Sequence, residues 1–94
     1  MTVSGFVWRV NIVEKLWRKH KVEPFEVEEV FANYPFFRFV EKGNRKGENF
    51  YAALGQTDSG RYLITFFVYK QDKRAVIISS RTMTDAERRN YERR

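Results

Sequence analysis

The side chains that could do chemistry in this chain include no thiol. They are Lys19, His20, Glu48, Tyr51, Arg61, Arg74, Arg81 and Tyr91. Those types are enough for one reaction, the cleavage of RNA. RNA carries its own nucleophile, the 2′-OH beside the scissile phosphate. A catalyst has to remove that proton, stabilise charge on the phosphorane and protonate the leaving 5′-oxygen. Positioned Arg and Lys serve the middle step, because fixed cations meet charge as it develops. His, Glu, Lys or Tyr serve the proton transfers when their pKa values are tuned. Arg81 follows an apolar strand and directly precedes the cap of the last helix. A helix start attracts anions, and a guanidinium there can grip two phosphate oxygens at once.

Each candidate also has a plainer reading. His20 falls on the apolar stripe of its helix, one turn past Leu16, where a partly buried structural histidine is common. Arg61 and Arg74 begin strands beside turns, the usual place for a solvated charge. Tyr51 and Tyr91 can be packing residues. Other chemistries fall away. With no cysteine and one histidine, disulfide scaffolds, zinc fingers, thiol enzymes and polyhistidine metal sites are excluded. Glu28 and Glu29 are adjacent on a helix and point apart. The five glycines are scattered and form no phosphate loop. Ser79 and Ser80 lack a G-x-S-x-G setting. The expectation is a reaction without metal or cofactor.

The elements that must hold these residues are legible from periodicity. Phe6-Val7-Trp8 reads as an edge strand. Ile12, Val13, Leu16, Trp17 and His20 make one helix stripe. Pro24 disfavours helix at Glu23 and opens a second helix, with Val27, Val30 and Phe31 inward and an end near Asn33. Strands follow at Phe36–Val40, Asn49–Leu54, Arg61–Tyr69 and Arg74–Ser80. A charged loop is expected at Glu41–Gly47 and a tight turn at Thr57–Gly60. Arg61–Tyr69 is apolar on both faces and should be central. Thr84-x-x-Glu87 is a capping box. It opens a last helix, from Asp85 to about Arg93, anchored by Ala86 and Tyr91. The order β-α-α-β-β-β-β-α gives an α+β class, a small antiparallel sheet flanked by helices.

Ninety-four residues make one domain, 1–94, and 17% aromatic content can build its core. No apolar run is long enough for a membrane span, and the first residues lack the order of a signal peptide, so a cytoplasmic location is expected. Eighteen bases against twelve acids give a net charge of +6, which suits an acidic partner. The charge is uneven. Residues 23–33 carry four acids and no base, inside an otherwise basic chain. A solvated helix face is the simplest account of them.

An ordered set of segments resembles one family. They are Trp8, Lys19-His20-x-Val22, Pro24 with Glu26-Val27-Glu28-Glu29-Val30-Phe31, and Gly47-Glu48 with Tyr51. Then come Leu54-Gly55-Gln56-Thr57-x-x-Gly60-Arg61-Tyr62-Leu63, Ile77-Ile78-Ser79-Ser80-Arg81-x-Met83-Thr84 and Glu87-Arg88-Arg89-x-Tyr91. The set looks like the BrnT family of toxins from type II toxin–antitoxin systems. The resemblance implies a RelE-like fold and a metal-independent endoribonuclease that cleaves mRNA and inhibits translation. It implies a cognate BrnA-like antitoxin, and operator DNA bound only through the complex. It implies a catalytic set of His20, Glu48, Arg61, Arg81 and Tyr91, with Lys19, Tyr51, Arg74 and Arg88 on the RNA. The chain departs from many members at Arg9, Lys21 and Ser80. Asn49-Phe50 also stands where an arginine is often near, so the catalytic set is less basic than in typical members. The composition alone also admits a non-catalytic nucleic-acid-binding module, or a subunit that only holds an acidic partner protein. Phe36, Phe37 and Phe39 fall on both faces of one strand, so an apolar patch is expected there for an antitoxin to cover.

Overall fold

Two helices meet at a break built from a few neighbouring residues. In the computed structural model, which describes residues 1–94, α1 runs over Val10–His20 and α2 over Pro24–Ala32. Lys21 ends α1 in the left-handed conformation, with φ of 53°. The Lys21 N–H donates to Trp17 O at 3.1 Å, and the Val22 N–H to Leu16 O at 3.2 Å. Two carbonyls the helix would leave orphaned are thereby satisfied. Left-handed backbone costs any residue but glycine, and Lys21 adds a compensating contact, its ammonium 4.9 Å above the Trp17 ring. Pro24 then starts α2, and Glu26 accepts a bond from the Glu23 N–H at 3.0 Å.

Five strands form one sheet: β1 (Gly5–Val7), β2 (Phe36–Arg45), β3 (Glu48–Gln56), β4 (Tyr62–Tyr69) and β5 (Arg74–Thr82). Their spatial order is β1-β5-β4-β3-β2. The last four make an antiparallel meander, and β1 joins β5 in parallel. The strand that reads as apolar on both faces, β4, lies at the centre. Period-two alternation divides its side chains. Leu63, Thr65 and Phe67 face α1 and α2. There Leu63 and Phe67 form the main core with Leu16, Val22, Val27, Val30, Ala53, Ala75 and Ile77. Ile64 and its neighbours Ala52 and Leu54 face the other way, under α3 (Asp85–Arg93), with Met83 and Tyr91. The buried hydroxyls of Thr65 and Ser80, opposite each other on β4 and β5, satisfy one another at 2.9 Å.

Four expectations need correction. Glu41–Gly47 is not a loop. β2 continues to Arg45, its pairing with β3 slips twice, and only Lys46-Gly47 reverse the chain. A charged edge strand resembles a loop because only its backbone is tied down. Gly43 lets the strands approach there: a Cβ would lie 1.9 Å from the Glu48 carbonyl oxygen. Phe37 is not free surface. Its ring packs against Phe31 and Phe67, with centroids 5.8 and 6.0 Å away, while Phe36 and Phe39 are exposed. Ala86 is exposed too, and Met83 takes its place as the anchor beside Tyr91. On α1 the stripe narrows to buried Leu16, with Ile12, Val13 and His20 half-buried and Trp17 exposed.

The acidic segment is more than a solvated face. Glu28 accepts from the Trp8 indole at 2.9 Å, Glu29 from the Asp58 N–H at 3.1 Å, and Glu26 pairs with Arg61. These acids tie α2 to β1's end and to the β3–β4 turn.

Candidate active site

Helix α3 covers only one end of its sheet face. Strand register shows what lies on the rest. Phe50 on β3 opposes Val68 on β4, which opposes Val76 on β5. A shift in the β4–β5 pairing between Phe66 and Phe67 lets both Ile78 and Ser79 sit beside this row. Phe50, Val68, Val76 and Ile78 floor an open cleft of about 300 Å³. Its rim carries Arg9, Arg45, Lys70 and Glu48. Three cations and one carboxylate thus gather over an apolar, partly aromatic floor.

Glu48 is the chemical centre of this cleft. Its side chain is 11% exposed, and Lys70 donates to it at 2.9 Å. The Lys70 ammonium is the main reason its pKa sits below the usual carboxylate value, helped by the Gln71 N–H and opposed by desolvation. It is therefore ionised at neutral pH. Arg45 comes from just across the β2–β3 turn, and the fold adds two distant cations, Arg9 from the start of α1 and Lys70 from the end of β4.

Arg81 lies on the same face, opposite Ile64 and beside the Phe66 ring, 5.8 Å from its centroid. Lys70 is six residues along β4 from Ile64, about 20 Å at strand spacing. The Arg81 fork is occupied. Nη1 and Nη2 donate to the two carboxylate oxygens of Glu87 at 2.8 and 3.0 Å. Glu87 also completes the capping box of α3, accepting from the Thr84 N–H at 2.8 Å while the Thr84 hydroxyl accepts from the Glu87 N–H at 3.1 Å. The Arg81 bond is the largest cause that lowers the Glu87 pKa to about 2.

This ion pair has a pH signature. Glu87 binds its proton more weakly when folded than at its ordinary value of 4.5. It therefore stabilises the fold above that value, and the contribution disappears as pH falls from about 4.5 to about 2. Melting temperature should drop across that window, and Glu87→Gln should flatten part of the drop. Unchanged acid sensitivity in the variant would remove the pair from the account.

The remaining candidates have structural partners or lie elsewhere. Arg61 ties the helix break to the sheet. Nη2 donates to His20 O at 2.9 Å, and Nη1 to Lys21 O at 2.7 Å and to Glu26 at 3.1 Å. His20 is therefore beside Arg61, but through its backbone, and its imidazole makes no hydrogen bond. Removing Arg61 strands two carbonyls and one carboxylate, so Arg61→Ala should cost about 2 kcal/mol. Chemical denaturation measures that cost. Activity per folded molecule should stay unchanged.

Arg74 pairs with Asp72 at 2.7 Å in the β4–β5 turn. Tyr51 is on the helical face, among Phe39, Phe67 and Tyr69. Tyr91 is buried against Tyr62 under the Arg94 guanidinium. Arg88 lies 3.9 Å over the Tyr62 ring. Lys19 is exposed, and its side chain makes no hydrogen bond or ion pair. Thus Glu48, Arg81 and Arg88 share one sheet face, while Tyr51 belongs to the opposite one and Arg61 holds the helix break. Arg9, Arg45, Lys70, Phe50 and Phe66 escaped the sequence reading. Phe50 and Phe66 had a weak signal, the period-two pattern of β3 and β4. Arg45 stands three positions before Glu48, inside the charged stretch that reads as a loop, while Arg9 and Lys70 had no signal, because only long-range pairing brings them to Glu48.

A larger hollow of about 480 Å³ lies beside Phe31 and Phe37. Its one charged side chain, Glu28, is already bound by Trp8. No three acidic or histidine side chains gather where an ion could be held. No helix is long and apolar enough to cross a membrane.

Residues 8–87 fit the family model described as ribonuclease toxin, BrnT, of type II toxin-antitoxin system. The search of curated proteins finds no matching relative.

Proposed function

The chain belongs to the BrnT family of ribonuclease toxins of type II toxin–antitoxin systems, and from that premise we propose that it is an endoribonuclease that cuts mRNA at the Glu48 cleft and so inhibits translation. The observation that carries this reading is the ionised Glu48 carboxylate among Lys70, Arg9 and Arg45, over the Phe50 floor. Glu48 takes the proton from the 2′-OH. Arg9, Arg45 and Lys70 stabilise charge on the phosphorane, the step where fixed cations matter most. The Lys70 ammonium gives a proton to the leaving 5′-oxygen. Phosphate binding also draws Lys70 away from Glu48, which makes the carboxylate a stronger base. A base stacks on Phe50 or Phe66, as single-stranded RNA does on aromatic rings.

The reading includes a cognate antitoxin as partner. Exposed Phe36, Phe39 and Val40 on edge strand β2 support a partner-covered surface, since exposed apolar patches mark protein interfaces. Operator DNA is then met only through the antitoxin complex, and the site of action is the cytoplasm.

The test uses purified chain and a synthetic RNA in excess EDTA. The expected result is internal cleavage leaving 2′,3′-cyclic phosphate ends, together with growth arrest when the chain is expressed without its antitoxin. Absence of both RNA cleavage and growth arrest would refute the reading.

A further inference from the structure

We infer that Arg81 forms a second phosphodiester-binding site on the same sheet face, held closed in the free protein by the Glu87 carboxylate acting as an internal stand-in for phosphate. This rests on the proposed RNA chemistry at Glu48 for the identity of the ligand. It stands on separate observations for the site.

The two Arg81 terminal nitrogens reach both oxygens of one carboxylate at 2.8 and 3.0 Å. That two-pronged geometry is the one a guanidinium uses for phosphate. The position also suits a strand of RNA. Arg81 and the Glu48 cleft stand at two ends of one face, joined by Phe66 and Val68 on β4. The Phe66 ring beside Arg81 offers a stacking surface next to the cation. Arg88, one residue past Glu87, adds positive charge over Tyr62. Side-chain exposure of 33% for Arg81 and 19% for Glu87 leaves the pair within reach of an incoming ligand.

Glu87 is well placed to yield. Its backbone is fixed by the Thr84 cap, but its carboxylate divides its bonds between the Thr84 N–H and Arg81. When a phosphate takes the Arg81 fork, the carboxylate keeps its bond to the Thr84 N–H, and α3 stays capped. The site therefore opens by exchange of one anion for another at Arg81, without unfolding the helix. Closed, it masks the cation from stray anions.

The experiment measures binding of a short 2′-O-methyl RNA, which has no free 2′-OH and cannot be cut. Glu87→Gln removes the charge but keeps a residue that serves in a capping box. It should bind about tenfold more tightly than wild type, and lose about one more counterion as salt is raised. The Arg81 Nε–H resonance should shift on titration in the variant at concentrations where wild type is silent. Arg81→Gln combined with Glu87→Gln should return affinity to the wild-type level. Asp85→Asn is the control, an exposed acid in the same helix turn with the same change of net charge. An equal gain in Asp85→Asn, or no gain in Glu87→Gln, overturns the inference. Absence of cleavage by wild type alongside a gain specific to Glu87→Gln would instead refute the Glu48 chemistry and leave the Arg81 site standing.

Discussion

Glu48→Gln lowers the rate of RNA cleavage by roughly 10²- to 10⁴-fold, the range a positioned general base contributes. Binding of an uncleavable RNA is expected to hold or tighten, because the substitution removes a negative charge from among Arg9, Arg45 and Lys70. That split separates a group acting on the proton from one acting on affinity. Single-turnover cleavage and a binding titration measure the two sides. The pH profile of wild type adds a check. Lys70 holds Glu48 of the free protein below the usual carboxylate value, so the acid limb of kcat/KM, which reports the free enzyme, should lie below the ordinary glutamate range. A variant that cleaves as fast as wild type takes Glu48 out of the reaction.

The largest expected loss of stability is at Phe67. The side chain is fully buried at the centre of the helical face and meets Phe31, Phe37 and Tyr51, with centroids 5.2, 6.0 and 6.1 Å away. It sits on the central strand, so no edge can move in to fill its space. Phe67→Ala should cost about 3–5 kcal/mol, against a total of about 5–15 kcal/mol for a domain of this kind. Urea unfolding of the purified variant measures it. Phe36→Ala, at an exposed ring on the edge strand, should change stability by less than about 0.5 kcal/mol. Similar losses at the two positions would place the core elsewhere.

The element order and the caps were legible because their signals are local. Pro24 at a helix start, Thr84-x-x-Glu87 as a capping box and the two-faced apolar run of β4 each act over a few residues. The structure keeps all of them. β2 was harder, since residues 41–45 carry charges on an edge strand and their strand character lies only in pairing with β3. The candidate site was legible as a list of residue types and not as an arrangement. Glu48 and Lys70 are 22 positions apart and meet only through strand register. In sequence Arg61 looks like a strand-start charge or a catalytic cation, yet 40 positions separate it from the Lys21 carbonyl it holds. Glu87 was visible as a cap, but its second bond, to Arg81, depends on how α3 leaves β5.

The parallel pairing of β1 with β5 sets an order of assembly. Gly5 lies beside Arg74, and Val7 beside Val76, whereas each strand of the meander pairs with its neighbour in sequence. Closing so long a loop delays contacts that depend on it. On the ribosome, β1 emerges well before β5 and waits for it. Arg9 follows β1 directly and reaches the Glu48 cleft only once β1 is seated. The cleft therefore gains its full set of charges only after β5 has been made, and a nascent or truncated chain lacking β5 has no complete site.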